Sequence, residues 1–449
     1  RGGWFNSDEP TKGAPNRAAI ERAVVINEIM YHPFHTPNPH DPAPAEGPEE
    51  REYLELYNNS DRVIDLSGWR FTKGIAYTFE EGALLEPRGY IVVARNPALL
   101  KGVYGLGDQV VGPYQGRLSN SGELIRLKDQ RRNTVNEVAY CDGGAWPRWA
   151  DGGGASLELV DPNQDNALGS AWAASDDRAK AAWTEVKFSG RHPGVESELQ
   201  FFLTHRGEML LDDVFIGESE TGANRIANPG FESGAAPWRV WPGTHEKTRV
   251  VDDDAHEGRR SLLVAAGGRG DNWANNFEYN VTNPALTARV YHVRYWAKWQ
   301  RGCNQFQVRS VAAAFNPANN LVYTAAIPVP ENLGTPGARN STAADNQGPV
   351  IGRVAQAPAV PRAGQSVTVT CQASDSGGIA KVELTYHPDT SPGAAQTLAM
   401  ADDGASGDGA AGDGVWGAVI PAHALNTVVA FWITATDAQG AVTTFPPEG

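Results

Sequence analysis

Catalysis by side chains requires a nucleophile beside a base, two carboxylates facing across a cleft, or a metal with an open position. The sequence holds no G-x-S-x-G elbow, no H-E-x-x-H pair and no G-x-x-x-x-G-K-[ST] loop, so it is read as non-catalytic. Two clusters suit cations instead. His32, His35, His40 and Asp41 lie within ten residues, and imidazole is a good zinc or nickel ligand. The same stretch is rich in proline, whose extended conformation need not bring side chains to one point, and it is predicted to be a surface loop between the first two strands. Asp402, Asp403, Asp408 and Asp413 lie in a Gly-rich run over 402–414 that could curl carboxylates around a hard cation. It lacks the twelve-residue EF-hand register and closing Glu, leaving a calcium loop through Asp402, Asp408 and Asp413 or a plain turn. The Arg269-Gly270-Asp271 triplet and the sequons at Asn280 and Asn340 carry no assignment.

The elements that must position these groups are short and extended. The 449 residues include 49 Gly and 30 Pro, an excess that implies many turns, and 41% are hydrophobic, enough for about three cores. A net charge of −15 argues against a phosphate-tracking nucleic-acid binder, and no apolar run is long enough to span a membrane. Cys141, Cys303 and Cys371 are far apart, which excludes a disulfide scaffold and a zinc knuckle. The chain opens at Arg1 without a leader, which points to a removed signal or, preferably, to a piece of a longer protein.

Alternation with period two, broken by turn residues, predicts strands at 24–30, 52–57, 69–72, 89–94, 123–128, 134–140 and 156–159. No segment shows a sustained helical period. The blocks Val25-Ile26-Asn27-Glu28-Ile29-Met30-Tyr31, Glu52-Tyr53-Leu54-Glu55-Leu56-Tyr57-Asn58, Asp65-Leu66-Ser67-Gly68-Trp69 and Ala155-Ser156-Leu157-Glu158-Leu159 resemble a bacterial lamin-tail domain, an immunoglobulin-like sandwich. Thr11-Lys12-Gly13-Ala14-Pro15-Asn16 recurs as Thr335-Pro336-Gly337-Ala338-Arg339-Asn340, a string that commonly ends such domains. The resemblance implies that residues 1–23 are the tail of a preceding module or a linker. The lamin-tail domain would then cover 24–180, with 328–340 a candidate for its final segment.

Residues 181–327 resemble a jelly-roll carbohydrate-binding module through Asn228-Pro229-Gly230-Phe231-Glu232, Trp238 and the strand Tyr291 to Trp299. The usual closing strand appears early, as Gly207-Glu208-Met209-Leu210-Leu211-Asp212-Asp213-Val214, so either the module is permuted or the tail of a preceding copy is retained. The resemblance implies structural calcium held by Glu232 with Asp212 or Asp213, only one of which should face the ion because adjacent strand residues point oppositely. It also implies a glycan face containing Arg294 and Trp296, bordered by Trp273, Asn276 and Phe277. Residues 341–449 resemble a bacterial Ig-like or fibronectin-III-like domain, with strands starting at Val367, Lys381 and Val428 and with Cys371 lacking a core partner.

The sequence therefore predicts an all-β chain of three sandwich modules from an extracellular or cell-surface bacterial protein similar to the CotH-type multidomain family. Its expected role is adhesion or assembly, with a polysaccharide or cell-surface glycan as candidate partner. Two alternatives stay open: an accessory region of a polysaccharide-active or kinase-like enzyme, and a self-associating subunit of a surface layer or filament.

Overall fold

The computed structural model describes residues 5–7, 12, 20–34, 47–194, 197–271, 273–282, 284–311 and 321–446. His35, His40 and Asp41 of the histidine cluster lie outside them, as does the Thr11 to Asn16 string apart from Lys12. The architecture is nearly all β, in several separate sheets, as the alternation predicts. Strand Val24–Met30 has the predicted limits, and the other predicted strands of the first module are met within about a residue or two. One element departs from the expectation of no helix. Pro97–Tyr104 is an α-helix capped by Asn96, whose Oδ1 accepts from Leu99 N at 3.1 Å, and ended by Gly105 at φ 66°. At eight residues it is too short to show a period. Among the described residues no helix is long and apolar enough to cross a membrane.

The first module packs a six-stranded sheet, in the order 172–174, 157–159, 24–30, 53–58, 90–94 and 110–111, on a four-stranded sheet of 134–141, 122–128, 70–73 and 77–78. Ile26, Leu54, Leu56, Val93, Ile125, Leu127, Val138 and Leu157 fill the space between them. The other face of the six-stranded sheet would ordinarily meet water, yet it is buried. Met30, Tyr53, Val92 and Ala94 on that face join an apolar cluster that continues into the second module through Trp299 and Leu333.

The second module is a pair of five-stranded sheets: 184–191, 290–302, 207–217, 261–266 and 249–251 in one, and 239–240, 277–280, 198–203, 305–310 and 322–326 in the other. Phe201, Phe277 and Phe306 lie between them, with Phe201 stacked on Phe277 at 5.4 Å. The Gly207–Gly217 strand pairs on one side with Ser261–Ala266 and on the other with Val290–Gly302. It is thus an internal strand of this module's own sheet. The third module sets 350–357, 367–374 and 415–420 against 396–399, 379–388, 429–437 and 442–445. Cys371 lies fully buried in its core, where burial pushes the thiol up to about 12.

On the outward face of the six-stranded sheet three glutamates stand side by side on neighbouring strands. Glu28 is directly opposite Glu158 on one side and Glu55 on the other. Each is fully buried. A bulge between Ile26 and Glu28 turns both Asn27 and Glu28 to this face, where strict alternation would have placed Glu28 in the core. The chain that returns after the second module covers the row as a strap. Thr335 N donates to Glu28 Oε1 at 2.8 Å, Thr335 Oγ1 to Glu158 Oε1 at 2.7 Å, Gly337 N to Glu55 Oε2 at 2.6 Å and Thr342 N to Glu158 Oε2 at 2.8 Å. Tyr53 and Ser156 hydroxyls add donors to Glu28 at 2.6 and 2.5 Å. Asn340 donates to the carbonyls of Asn27 and Leu159. Two glycines are required: Gly334 at φ 79°, where a Cβ would collide with the Tyr53 hydroxyl, and Gly337 at φ 80°, where it would meet Leu106 at 2.8 Å.

The carboxylates accept from neutral donors, and no lysine or arginine is among their hydrogen-bond partners in the described residues. The nearby Lys180 ammonium is paired with Asp177 at 2.8 Å, and Tyr104 donates to the Leu333 carbonyl. Burial, then the charge of Glu158, pushes Glu28 up to about 7, and burial beside Glu28 raises Glu55 well above the usual carboxylate range. The folded chain therefore holds protons that the unfolded chain releases, so stability contributed here is full below about pH 4.5 and is lost as pH rises toward 7. Each pH unit climbed in that window costs about 1.4 kcal/mol per group. Thermal melts of the first module should fall between pH 5 and about pH 7.5, and Glu28→Gln should flatten that slope; a slope unchanged by the substitution would contradict the assignment.

Candidate functional site

The Val290–Gly302 strand alternates as its sequence indicates: Tyr291, Val293, Tyr295 and Ala297 are buried between the sheets, and His292, Arg294, Trp296 and Lys298 face outward. Arg294 sits with its guanidinium 5.2 Å from the Phe215 ring centroid, beside a pocket lined by Phe188, Thr221 and His292. Trp296 is not an open stacking face, because His256 lies parallel to it at 3.8 Å. Lys298 is tied to Asp254 at 2.6 Å. A loop over 252–258 thus covers the centre of this surface.

Trp273, Asn276 and Phe277 do not border it. They lead into the Phe277–Asn280 strand, which belongs to the opposite sheet because the chain crosses between layers before Val290. Phe277 is in the core. Trp273 is 76% exposed, at the tip of a loop that Asn276 ties together by donating to the Asp271 and Trp273 carbonyls. Arg294 and Trp296 therefore form one group, and Trp273 and Asn276 another.

The opposite sheet carries a polar outer face that strand reading passed over. With Phe201, Phe277 and Phe306 inside, Gln200, Phe202, Glu278, Gln307 and Arg309 project outward. Arg309 Nε donates to Gln200 Oε1 at 3.1 Å, and its Cζ lies 4.8 Å from the Phe202 ring. Burial lowers its guanidinium's pKa, and its buried Nη2 has no partner among the described residues. Trp241 Nε1 donates to Glu278 Oε2 at 2.6 Å, and Arg239 lies 3.4 Å over the Trp241 ring. Amides, one carboxylate, guanidinium groups and indole edges are the donors, acceptors and flat surfaces that bind sugar hydroxyls and rings. The available signal in the sequence was the polar residue at every second position of Gln305-Phe306-Gln307-Val308-Arg309.

The aspartates expected to face opposite ways both reach the 252–258 loop. A bulge between Asp212 and Phe215, with Asp213 at φ 49°, breaks the alternation. Asp212 is fully buried; its Oδ2 accepts the amides of His256 and Glu257 at 2.8 and 3.2 Å, and burial, reinforced by the charge of Asp213, pushes it up to about 6. Asp213 Oδ2 meets His256 Nδ1 at 2.7 Å. Asp213, His256 and Glu257 each place one potential ligand atom within 4.8 Å of the others, the single such group among the described residues. Glu232 is spent differently, its Oε1 accepting the amides of Arg259 and Arg260 at 2.8 and 2.9 Å.

In the third module Asp402 accepts the amides of Gly412, Asp413 and Gly414, Asp413 accepts those of Val415 and Ala410, and Asp408 Oδ2 accepts that of Gly404. These carboxylates curl the loop through its own N–H groups. Asp408 Oδ1 alone is buried without a partner among the described residues. His32, the described member of the histidine cluster, pairs with Asp151 at 2.7 Å.

Residues 17–142 match the family model of the lamin tail domain, residues 223–319 that of a carbohydrate binding domain, and residues 354–442 that of the second Ig-like domain of conditioned medium factor. The chain is also similar to endo-1,4-beta-xylanase A of Thermoanaerobacterium saccharolyticum, at 30% identity over 118 residues. That stretch is 26% of this chain and 10% of the xylanase, so the chain spans about a tenth of its relative. A solved Ca2+-stabilized adhesin that helps an Antarctic bacterium bind ice aligns over 94% of this chain and 71% of its own, at 11% identity and a TM-score of 0.15.

Asp212→Ala should untie the 252–258 loop, costing about 2–3 kcal/mol from the lost charged acceptor and hastening amide exchange at His256 and Glu257. Unchanged exchange at those two amides would refute this role.

Proposed function

We propose that this chain is a non-catalytic, extracellular, surface-associated region whose second module binds a neutral polysaccharide on the outer face of the sheet containing Glu198–Leu203 and Gln305–Ser310. The observation that carries this reading is the half-buried Arg309, with one nitrogen that has no partner among the described residues, set among Gln200, Gln307, Glu278 and Trp241. Desolvated donors of this kind lose their hydration in the free protein and regain partners from ligand hydroxyls. The match to a carbohydrate binding domain and the similarity to a xylanase favour a xylan-like ligand. The three matched models are Ig-like and carbohydrate-binding modules, which present ligands or surfaces and do not perform chemistry.

The lamin-tail unit in this reading includes the returning strap, with the jelly roll carried between its strands and its closing segment. The hydrogen bonds from Thr335, Gly337 and Thr342 to the glutamate row support that organisation.

Binding to xylan, measured by calorimetry, should weaken about tenfold or more in Arg309→Gln and in Glu278→Gln. Trp296→Ala, on the opposite sheet, should leave it unchanged. Loss of binding in Trp296→Ala with retention in Arg309→Gln would move the site to the Arg294 side. No affinity for xylan or other neutral glycans would overturn the reading.

Calcium, in the same proposal, is held where Asp213 and Glu257 oxygens approach each other, joining the Asp212-Asp213 bulge to the 252–258 loop. Its carboxylates suit a hard cation, and His256 would have to give up its contact with Asp213. The second module should then melt several degrees higher with calcium than with chelator, and Asp213→Asn should abolish the difference. Melts that coincide would exclude a structural ion.

A further inference from the structure

Where the first and second modules meet, a groove is lined by Phe34, Trp149 and Asp151 from one side and by His205, Arg206, Arg269 and Cys303 from the other, with Arg148 at its rim. It is open to solvent and has room for water over about 330 Å³. Gly302 N donates across the junction to the Gly153 carbonyl at 2.8 Å, and within the second module Cys303 N donates to the Arg206 carbonyl at 2.8 Å. Gly152, Gly267 and Gly268 also line it.

The charge in the groove runs against that of the molecule. On a chain of net charge −15, Arg148, Arg206 and Arg269 line one concavity together with His205. Asp151, the one acidic residue of the lining among the described residues, is engaged by His32 at 2.7 Å. Arg206 and Arg269 are exposed, and no carboxylate pairs with either among the described residues. Trp149 is held in place by Arg148 and Arg301, whose guanidinium carbons lie 5.4 and 4.7 Å from its ring. Guanidinium forks match planar oxyanions in a bidentate manner, and glycan rings settle beside aromatic edges.

We propose that this groove binds the carboxylates of an acidic polysaccharide, a uronic-acid-bearing chain laid across the junction between the two modules. This rests on the reading of the chain as a glycan binder but uses a surface separate from the Arg309 face. The negative charge elsewhere repels a polyanion, so attraction confined to the groove fixes where such a chain is held. A flexible chain with one charge per sugar suits the exposed guanidinium groups of Arg206 and Arg269 better than a stiff duplex, whose phosphates would also meet the acidic surroundings.

The test uses the whole chain with oligogalacturonate, neutral xylan and a short DNA duplex as probes, each at low salt and at about 0.2 M salt. The double variant Arg206→Gln, Arg269→Gln should lose about tenfold in affinity for oligogalacturonate, keep its xylan affinity and melt as the parent does. Salt should weaken the oligogalacturonate complex and spare the xylan complex. Oligogalacturonate affinity that is absent, or that survives the double substitution, overturns the proposal, as does equal arginine-dependent binding of DNA. Arginine-dependent oligogalacturonate binding with no xylan binding upholds the groove and rejects the Arg309 face.

Discussion

Three carboxylates in register on adjacent strands, sealed from water, would repel one another and split the sheet that carries them. The arrangement persists because each oxygen meets a neutral donor and because part of the charge is held as protons. Most of those donors come from one short strap, residues 334–342, which reaches this sheet after the chain has built the whole second module. The strap also closes the sheet's outer face, so that Met30, Tyr53 and Val92 can be apolar there and merge with the core of the next module. Without it the first sheet would expose both uncompensated glutamates and a hydrophobic patch.

From that closure follow the other features of the molecule. The first and second modules share an apolar cluster, and their junction is rigid enough to shape a groove between the 148–153 loop and the 205–206 turn. The third module docks through polar contacts, Gln164 to Asp375 at 2.6 Å and Ser170 to the Ile351 carbonyl at 2.6 Å, while Val350 and Ile351 enter different cores on consecutive residues. Among the described residues, the sheet face with Arg309 takes no part in these junctions.

How much of this could be read from residues alone depended on whether the information was local. Alternation gave the strands because each half-buried strand writes its own pattern, and it failed where bulges intervene, at Asn27 and at Asp213. Nothing in the residues around Glu28, Glu55 and Glu158 announces a buried row of carboxylates; their burial depends on Thr335 and Gly337, which lie far along the chain. Trp273 and Asn276 were expected to border the Arg294 face from a neighbouring strand, whereas the crossover between layers puts them with the opposite sheet. The polar network around Arg309 draws on four strands, and no single one of them carries a pattern that announces it.

Lys180 lies where the chain leaves the first sheet, and its ammonium holds the carbonyls of Asn332 and Gly334, where the chain comes back. Asp177, beside it, accepts the Gly334 amide at 3.0 Å. The outgoing and incoming segments are therefore stapled together at the base of the jelly roll. Tension drawn along the polypeptide would pass through this staple and the glutamate-bound strap, bypassing the jelly roll as a current bypasses a shorted loop. A module so placed can keep its fold while the chain on either side is under load.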